Sequence, residues 1–109
     1  RLILADALVY AQRYKPAAVI DVATLTGAMA VALGHYTTGF YATDDTLAEL
    51  IRTTGGAAGE PMWRMPLDPV YDRQISTPFA DVKNSGGRPG ASVTAARFLA
   101  KFVGEPPWA

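Results

Sequence analysis

The chain has 109 residues, is 50% hydrophobic, and balances ten Lys and Arg against ten Asp and Glu, with one His and no Cys. That composition fits one domain or part of one and argues against intrinsic disorder. It lacks the basic excess of a nucleic-acid binder and supplies no disulfide framework or thiolate metal site.

Leu2 to Tyr14 reads as a helix. Ile3, Ala7, Tyr10 and Tyr14 form one apolar row at helical spacing, and Leu4, Leu8 and Ala11 form a second beside it. With only Asp6, Gln12 and Arg13 polar, this helix is expected to be covered on most sides. Pro16 ends it. Ala18 to Ala23 is a β-branched run without alternation, which predicts a strand buried on both faces of a parallel sheet. Asp21 lies inside that run, so its carboxylate needs a partner, either as a structural anchor or as support for a site.

Thr24-Leu25-Thr26-Gly27 then turns the chain into a helix from Gly27 to Leu33, with Thr26 as its expected cap and Gly34 as its stop. Thr37 to Ala42 reads as a second strand. Thr43-Asp44-Asp45 opens a helix whose expected buried stripe is Leu47, Leu50 and Ile51 and whose end is Gly55-Gly56. Glu60 to Pro69 is extended, and Asp68-Pro69 starts a short helix reaching about Ile75. Thr77 to Gly90 is irregular around Asn84-Ser85-Gly86-Gly87-Arg88-Pro89-Gly90. The last helix starts at Gly90 or Ser92 and runs through Val103, turning Ala95, Phe98, Leu99 and Phe102 inward. Strands alternating with helices indicate an α/β layered fold.

The stretch from Val22 to Tyr36 is broken by two threonines, two glycines and a histidine, too polar for the run of about 20 apolar residues that spans a bilayer. The opening Arg1-Leu2-Ile3-Leu4-Ala5-Asp6 is too short an apolar run for a signal peptide. No Met and no capping residue precede the first helix, so the natural polypeptide is expected to begin upstream.

Thr24 to Gly27 leaves a strand and enters a helix, the place where open parallel sheets bind ligands. An ordinary strand-to-helix turn has the same pattern. His35 stands alone in sequence and reads as structural. Asp44 with Asp45, and Asp68 with Asp72, sit at helix starts, where capping explains them better than metal binding. No Asp, Glu and His cluster has metal-ligand spacing. Arg1 and Arg88 read as exposed arginines, and Met62-Trp63-Arg64-Met65 as core or subunit interface.

Five phrases in order nevertheless resemble one family. They are Arg1-Leu2-Ile3-Leu4-Ala5-Asp6-Ala7-Leu8, Ile20-Asp21-Val22-Ala23-Thr24-Leu25-Thr26-Gly27-Ala28, Glu60-Pro61-Met62-Trp63-Arg64-Met65-Pro66-Leu67, Ala80-Asp81-Val82-Lys83-Asn84-Ser85-Gly86-Gly87-Arg88 and Thr94-Ala95-Ala96-Arg97-Phe98-Leu99. Together they resemble the leucyl aminopeptidases of the cytosol aminopeptidase family. The resemblance implies that residues 1–109 are a fragment of a three-layer α/β/α catalytic domain with a central, mostly parallel sheet. It implies release of the amino-terminal residue of a peptide substrate, assisted by two divalent ions, zinc or manganese.

Arg1 and Leu2 match the end of the family signature Asn-Thr-Asp-Ala-Glu-Gly-Arg-Leu. By that match Arg1 is the catalytic arginine, which holds a bicarbonate and stabilises developing negative charge. The signature's metal-ligating Asp and Glu would precede Arg1, so no metal ligand is expected here and the 109 residues alone are expected to be inactive. Thr24, Leu25 and Gly27 match substrate-binding positions. The backbone at Leu25 and Gly27 aligns the peptide, and Thr24 and Gly27 help shape the pocket for its first side chain. A cytoplasmic homo-oligomer, a hexamer by resemblance, is expected, with no nucleic-acid or membrane partner. The alternatives are a non-catalytic α/β remnant used for subunit packing and a small module binding an anionic ligand at Thr24 to Gly27.

Overall fold

The computed structural model describes residues 1–109. Its elements are α1 (Leu2–Ala11), α2 (Ala28–Leu33), β1 (Thr38–Phe40), α3 (Asp45–Ala57), β2 (Met62–Arg64) and α4 (Ala91–Ala100). Short 3-10 segments follow α1 at Gln12–Tyr14 and β2 at Pro69–Gln74. β1 and β2 pair in parallel, with Thr38 opposite Met62 and Phe40 opposite Arg64. α3 makes the crossover that a parallel pair needs. A second parallel contact is an isolated bridge between Val19 and Trp108. The fold is therefore α/β with parallel pairing, as the alternation of elements predicts.

α4 is the centre of the core. Val93, Thr94, Ala95, Ala96, Phe98 and Leu99 are all buried on it. Ala5 and Leu8 of α1, Ile75, Val103 and Trp108 close around its Phe98 and Leu99 end. The Phe98 and Phe102 rings pack with centroids 5.1 Å apart. Local chemistry sets the boundaries as predicted in several places. The Asp44 carboxylate accepts from the Leu47 amide at 2.8 Å and caps α3, and Asp68 accepts from the Val70 amide at 2.8 Å. Gly90 enters α4 at φ 64°, a left-handed conformation that a side chain would strain.

Other expectations fail for identifiable reasons. Ala18 to Ala23 is not a strand buried on both faces. Its only ladder neighbour is Trp108–Ala109, and Ile20 and Val22 are 63% and 98% exposed. α1 is covered along one stripe only: the Leu4, Leu8 and Ala11 row turns inward, while Ile3, Tyr10 and Tyr14 face outward. Thr26 does not cap α2; Gly27 takes the N-cap position, with no side-chain cap. In α3 the buried residues are Leu47, Ala48 and Gly55, and Leu50 is exposed. That helix runs through Gly55-Gly56 to Ala57 because a close approach of Met62 to Gly55 packs its last turn. α4 stops at Ala100, short of Val103.

The accessible surface is 7246 Å² for 11.6 kDa, against about 5,800 Å² for a compact monomer of that mass. Large apolar side chains are left uncovered on α1 and at Ile20 and Val22, and also at Val31, Tyr36, Trp63 and Phe79. No helix is long and apolar enough to cross a membrane.

Candidate active site

A cleft of about 580 Å³ opens between the end of the Ile20–Ala23 segment, β1, α3 and α4. Its walls are mainly apolar, including Met29, Phe40, Met62, Leu99 and Trp108. Thr24 and Leu25, both predicted as substrate-facing, line it. Thr24 is exposed; Leu25 is half-buried and packs against the core, so the turn shows its backbone while one side chain holds it down. Gly27 lies just off the cleft lining, at the start of α2. Nothing would meet a Cβ built there, so Gly27 leaves open backbone.

Arg1 is half-buried and does not line this cleft. Its Nη1 donates to the Asn84 backbone carbonyl, which ties the start of α1 to the loop from Asn84 to Gly90. The rest of the guanidinium makes no hydrogen bond and no salt bridge, so donors remain for an anion. The structure thus brings Thr24 and Leu25 together on one wall, sets Gly27 beside them and leaves Arg1 apart.

Asp21 is half-buried and its carboxylate has a partner. Its Oδ2 accepts the Trp108 indole N–H at 2.6 Å. Burial pushes the Asp21 carboxyl above its ordinary value, and the indole bond opposes that shift. Tyr41 also lines the cleft, and its buried hydroxyl has no hydrogen-bond partner. Burial raises its pKa, with the nearby Ser92 hydroxyl acting in the opposite sense. Sequence reasoning missed Tyr41, Ser92 and Trp108 as site residues. Trp108 and Asp21 are 87 positions apart, and no local pattern links them.

The four acids at the helix starts, Asp44, Asp45, Asp68 and Asp72, are structural in ways only partly foreseen. Asp44 and Asp68 are caps, but Asp45 pairs with Arg64 at 2.7 Å and Asp72 with Arg97 at 2.7 Å. His35 is exposed in the turn after α2, and Arg88 is exposed in its loop. No group of three His, Asp or Glu side chains converges to hold a metal ion. These residues therefore do not fit the implied metal pair.

The model of the cytosol aminopeptidase family, catalytic domain, matches residues 1–109. Probable cytosol aminopeptidases from Acidovorax sp. (strain JS42) and Burkholderia mallei (strain SAVP1) are 57% and 58% identical over all 109 residues. The chain spans 22% of the length of each. Among solved structures, a tomato leucine aminopeptidase mutant, K354E, superposes with a TM-score of 0.93 at 42% identity, covering 96% of this chain and 21% of that one. The chain belongs to the cytosol aminopeptidase family, and its residues correspond to part of that family's catalytic domain.

Proposed function

We propose that this chain is the substrate-facing part of a metal-dependent leucyl aminopeptidase, which removes the amino-terminal residue from peptides. The whole-length match to the family's catalytic domain carries the reading. It gains support from the Thr24-Leu25 turn, which presents exposed backbone at the edge of an apolar cleft. In this reading the backbone at Leu25 and Gly27 aligns the substrate main chain, and Thr24 and Gly27 border the first side chain. Arg1 supplies a fixed cation, with or without a bicarbonate, for negative charge developing at the scissile carbonyl. A manganese or zinc pair would supply an activated water, and its ligands would have to come from residues outside these 109, because no acid or histidine cluster among them can hold a metal. The 109 residues alone bind no metal pair and turn over no peptide. The uncovered apolar row of α1 supports packing within a larger domain and a homo-oligomer, a hexamer by family resemblance. The working location is the cytoplasm.

The test compares two purified proteins on a leucyl anilide with added Mn²⁺ or Zn²⁺. One is the 109-residue chain; the other is a polypeptide of the relatives' length carrying this segment. Chelator-sensitive turnover by the longer protein alone is expected. Turnover by the short chain, or chelator-resistant turnover by the longer one, overturns the reading.

A further inference from the structure

The Asp21–Trp108 pair sits where the chain stops being held. Val19 donates to Pro107 at 2.8 Å and accepts from Ala109 at 3.0 Å, and the Asp21 amide donates to the Ala109 carbonyl at 2.9 Å. From Val22 to Thr26 the backbone makes no further backbone–backbone hydrogen bond. The chain is caught again only at Gly27, whose carbonyl accepts from Val31. Asp21 is therefore the last anchored residue before the turn that carries Thr24 and Leu25.

The post to which it is anchored is itself fixed. Trp108 is 3% exposed and belongs to the core cluster. Its backbone N–H donates to the Thr43 hydroxyl at 3.0 Å, and its carbonyl accepts from the Thr43 amide at 2.9 Å. The Asp21 carboxylate thus joins the start of this segment to a Trp held by both the core and Thr43.

We infer that Asp21 is a positioning residue, which acts through the Trp108 indole to hold the Thr24-Leu25 turn against the cleft. The inference rests on the proposed reading only in giving that turn the task of aligning substrate; the geometric claim stands without activity. The bond reinforces the Asp21 amide at the near end of a five-residue span that makes no backbone–backbone hydrogen bond of its own, and the Leu25 side chain packs that span against the core.

The test is ¹⁵N relaxation on the 109-residue chain, with the indole N–H signal of Trp108 as a monitor of the bond. Asp21→Ala and Trp108→Phe each remove the bond, the latter while keeping an aromatic ring in the core. Asp21→Asn keeps an acceptor for the indole. Backbone order parameters at Ala23 to Leu25 are expected to fall from about 0.85 to below about 0.6 in Asp21→Ala and Trp108→Phe and to stay high in Asp21→Asn. Combining Asp21→Ala with Trp108→Phe is expected to add no further loss. If Asp21→Ala does not fold, Trp108→Phe and Asp21→Asn decide the matter alone. Unchanged order parameters in Trp108→Phe overturn the inference, as does an equal loss in Asp21→Asn with its indole bond intact. Absence of peptidase activity in the longer polypeptide overturns the functional reading and leaves this result untouched.

Discussion

Arg97 on α4 grips Asp72 with two parallel bonds, Nε to Oδ1 at 2.7 Å and Nη2 to Oδ2 at 2.8 Å. Lys101 adds a third contact to Oδ2 at 3.2 Å. The pair fastens the Pro69–Gln74 segment to the helix that carries the core. The Arg97 fork is the main cause that lowers the Asp72 carboxyl from 3.8 to about 2. A carboxyl depressed in the folded state stabilises the fold above its unfolded value and loses that contribution as pH falls through its folded value. Asp72→Asn is expected to cost about 1–2 kcal/mol near neutrality, with partial exposure holding the figure down. Urea midpoints of the two proteins should converge as the pH falls from about 4 to about 2. A gap that persists unchanged at pH 2 would show that the fork is not its source.

Asp21 carries the opposite sign. Burial raises its carboxyl in the folded state, so the ionised form is disfavoured there. That penalty is complete above the folded value and vanishes below the unfolded value of 3.8. Asp21→Asn keeps an acceptor for the Trp108 indole without the charge. It is expected to raise the urea midpoint at pH 8 and to leave it level with the parent at pH 3. A variant less stable than the parent at pH 8 contradicts this account.

What the sequence made legible was mostly local. Asp44 and Asp68 cap their segments as their positions predict, because a cap bond spans two or three residues. The Thr24-Leu25 turn was legible from the change of pattern around it, and it does face a cleft. The pattern of Ala18 to Ala23 predicts more strand than forms, because a buried strand depends on neighbours that composition does not supply. Its β-branched content describes an affinity for a sheet; Val22 shows how little of that sheet these residues build. The same limit explains α1, whose two apolar rows are equivalent by spacing. Only contact with α4 and the rest of the core chooses Leu4, Leu8 and Ala11. Long-range pairs such as Asp21–Trp108 and Asp72–Arg97 leave no periodic trace, so sequence shows that Asp21 needs a partner without naming it and gives Asp72 the pattern of a cap.

Phe98 is the largest fully buried side chain, 1% exposed, and it touches both the α1 stripe and Phe102 through the core cluster. Truncation to Ala removes most of its buried area and leaves a cavity beside Leu99. The expected cost is about 3–5 kcal/mol. Stability of small domains is of the same order, so Phe98→Ala is expected to lose its cooperative urea transition at 25 °C. The far-UV circular dichroism of Phe98→Leu, which keeps much of the volume, should retain that transition. Cooperative unfolding of Phe98→Ala at the parent midpoint would move the centre of the core elsewhere.

Arg1 tests the catalytic assignment directly. Only one of its donors is engaged, by the Asn84 carbonyl, and that bond orients the guanidinium from the loop that follows Lys83. On the proposed function, Arg1→Ala in a polypeptide of the relatives' length is expected to remove a fixed cation from developing negative charge. Loss of one such donor lowers kcat by about 10²–10³, and KM should change far less, because the group acts on charge that appears during the reaction. Arg1→Lys keeps the charge without the planar fork and is expected to recover only part of the rate. Steady-state kinetics on a leucyl anilide separate these outcomes. An Arg1→Ala enzyme with parental kcat and a raised KM would make Arg1 a binding residue, and one with both constants unchanged would remove it from the site.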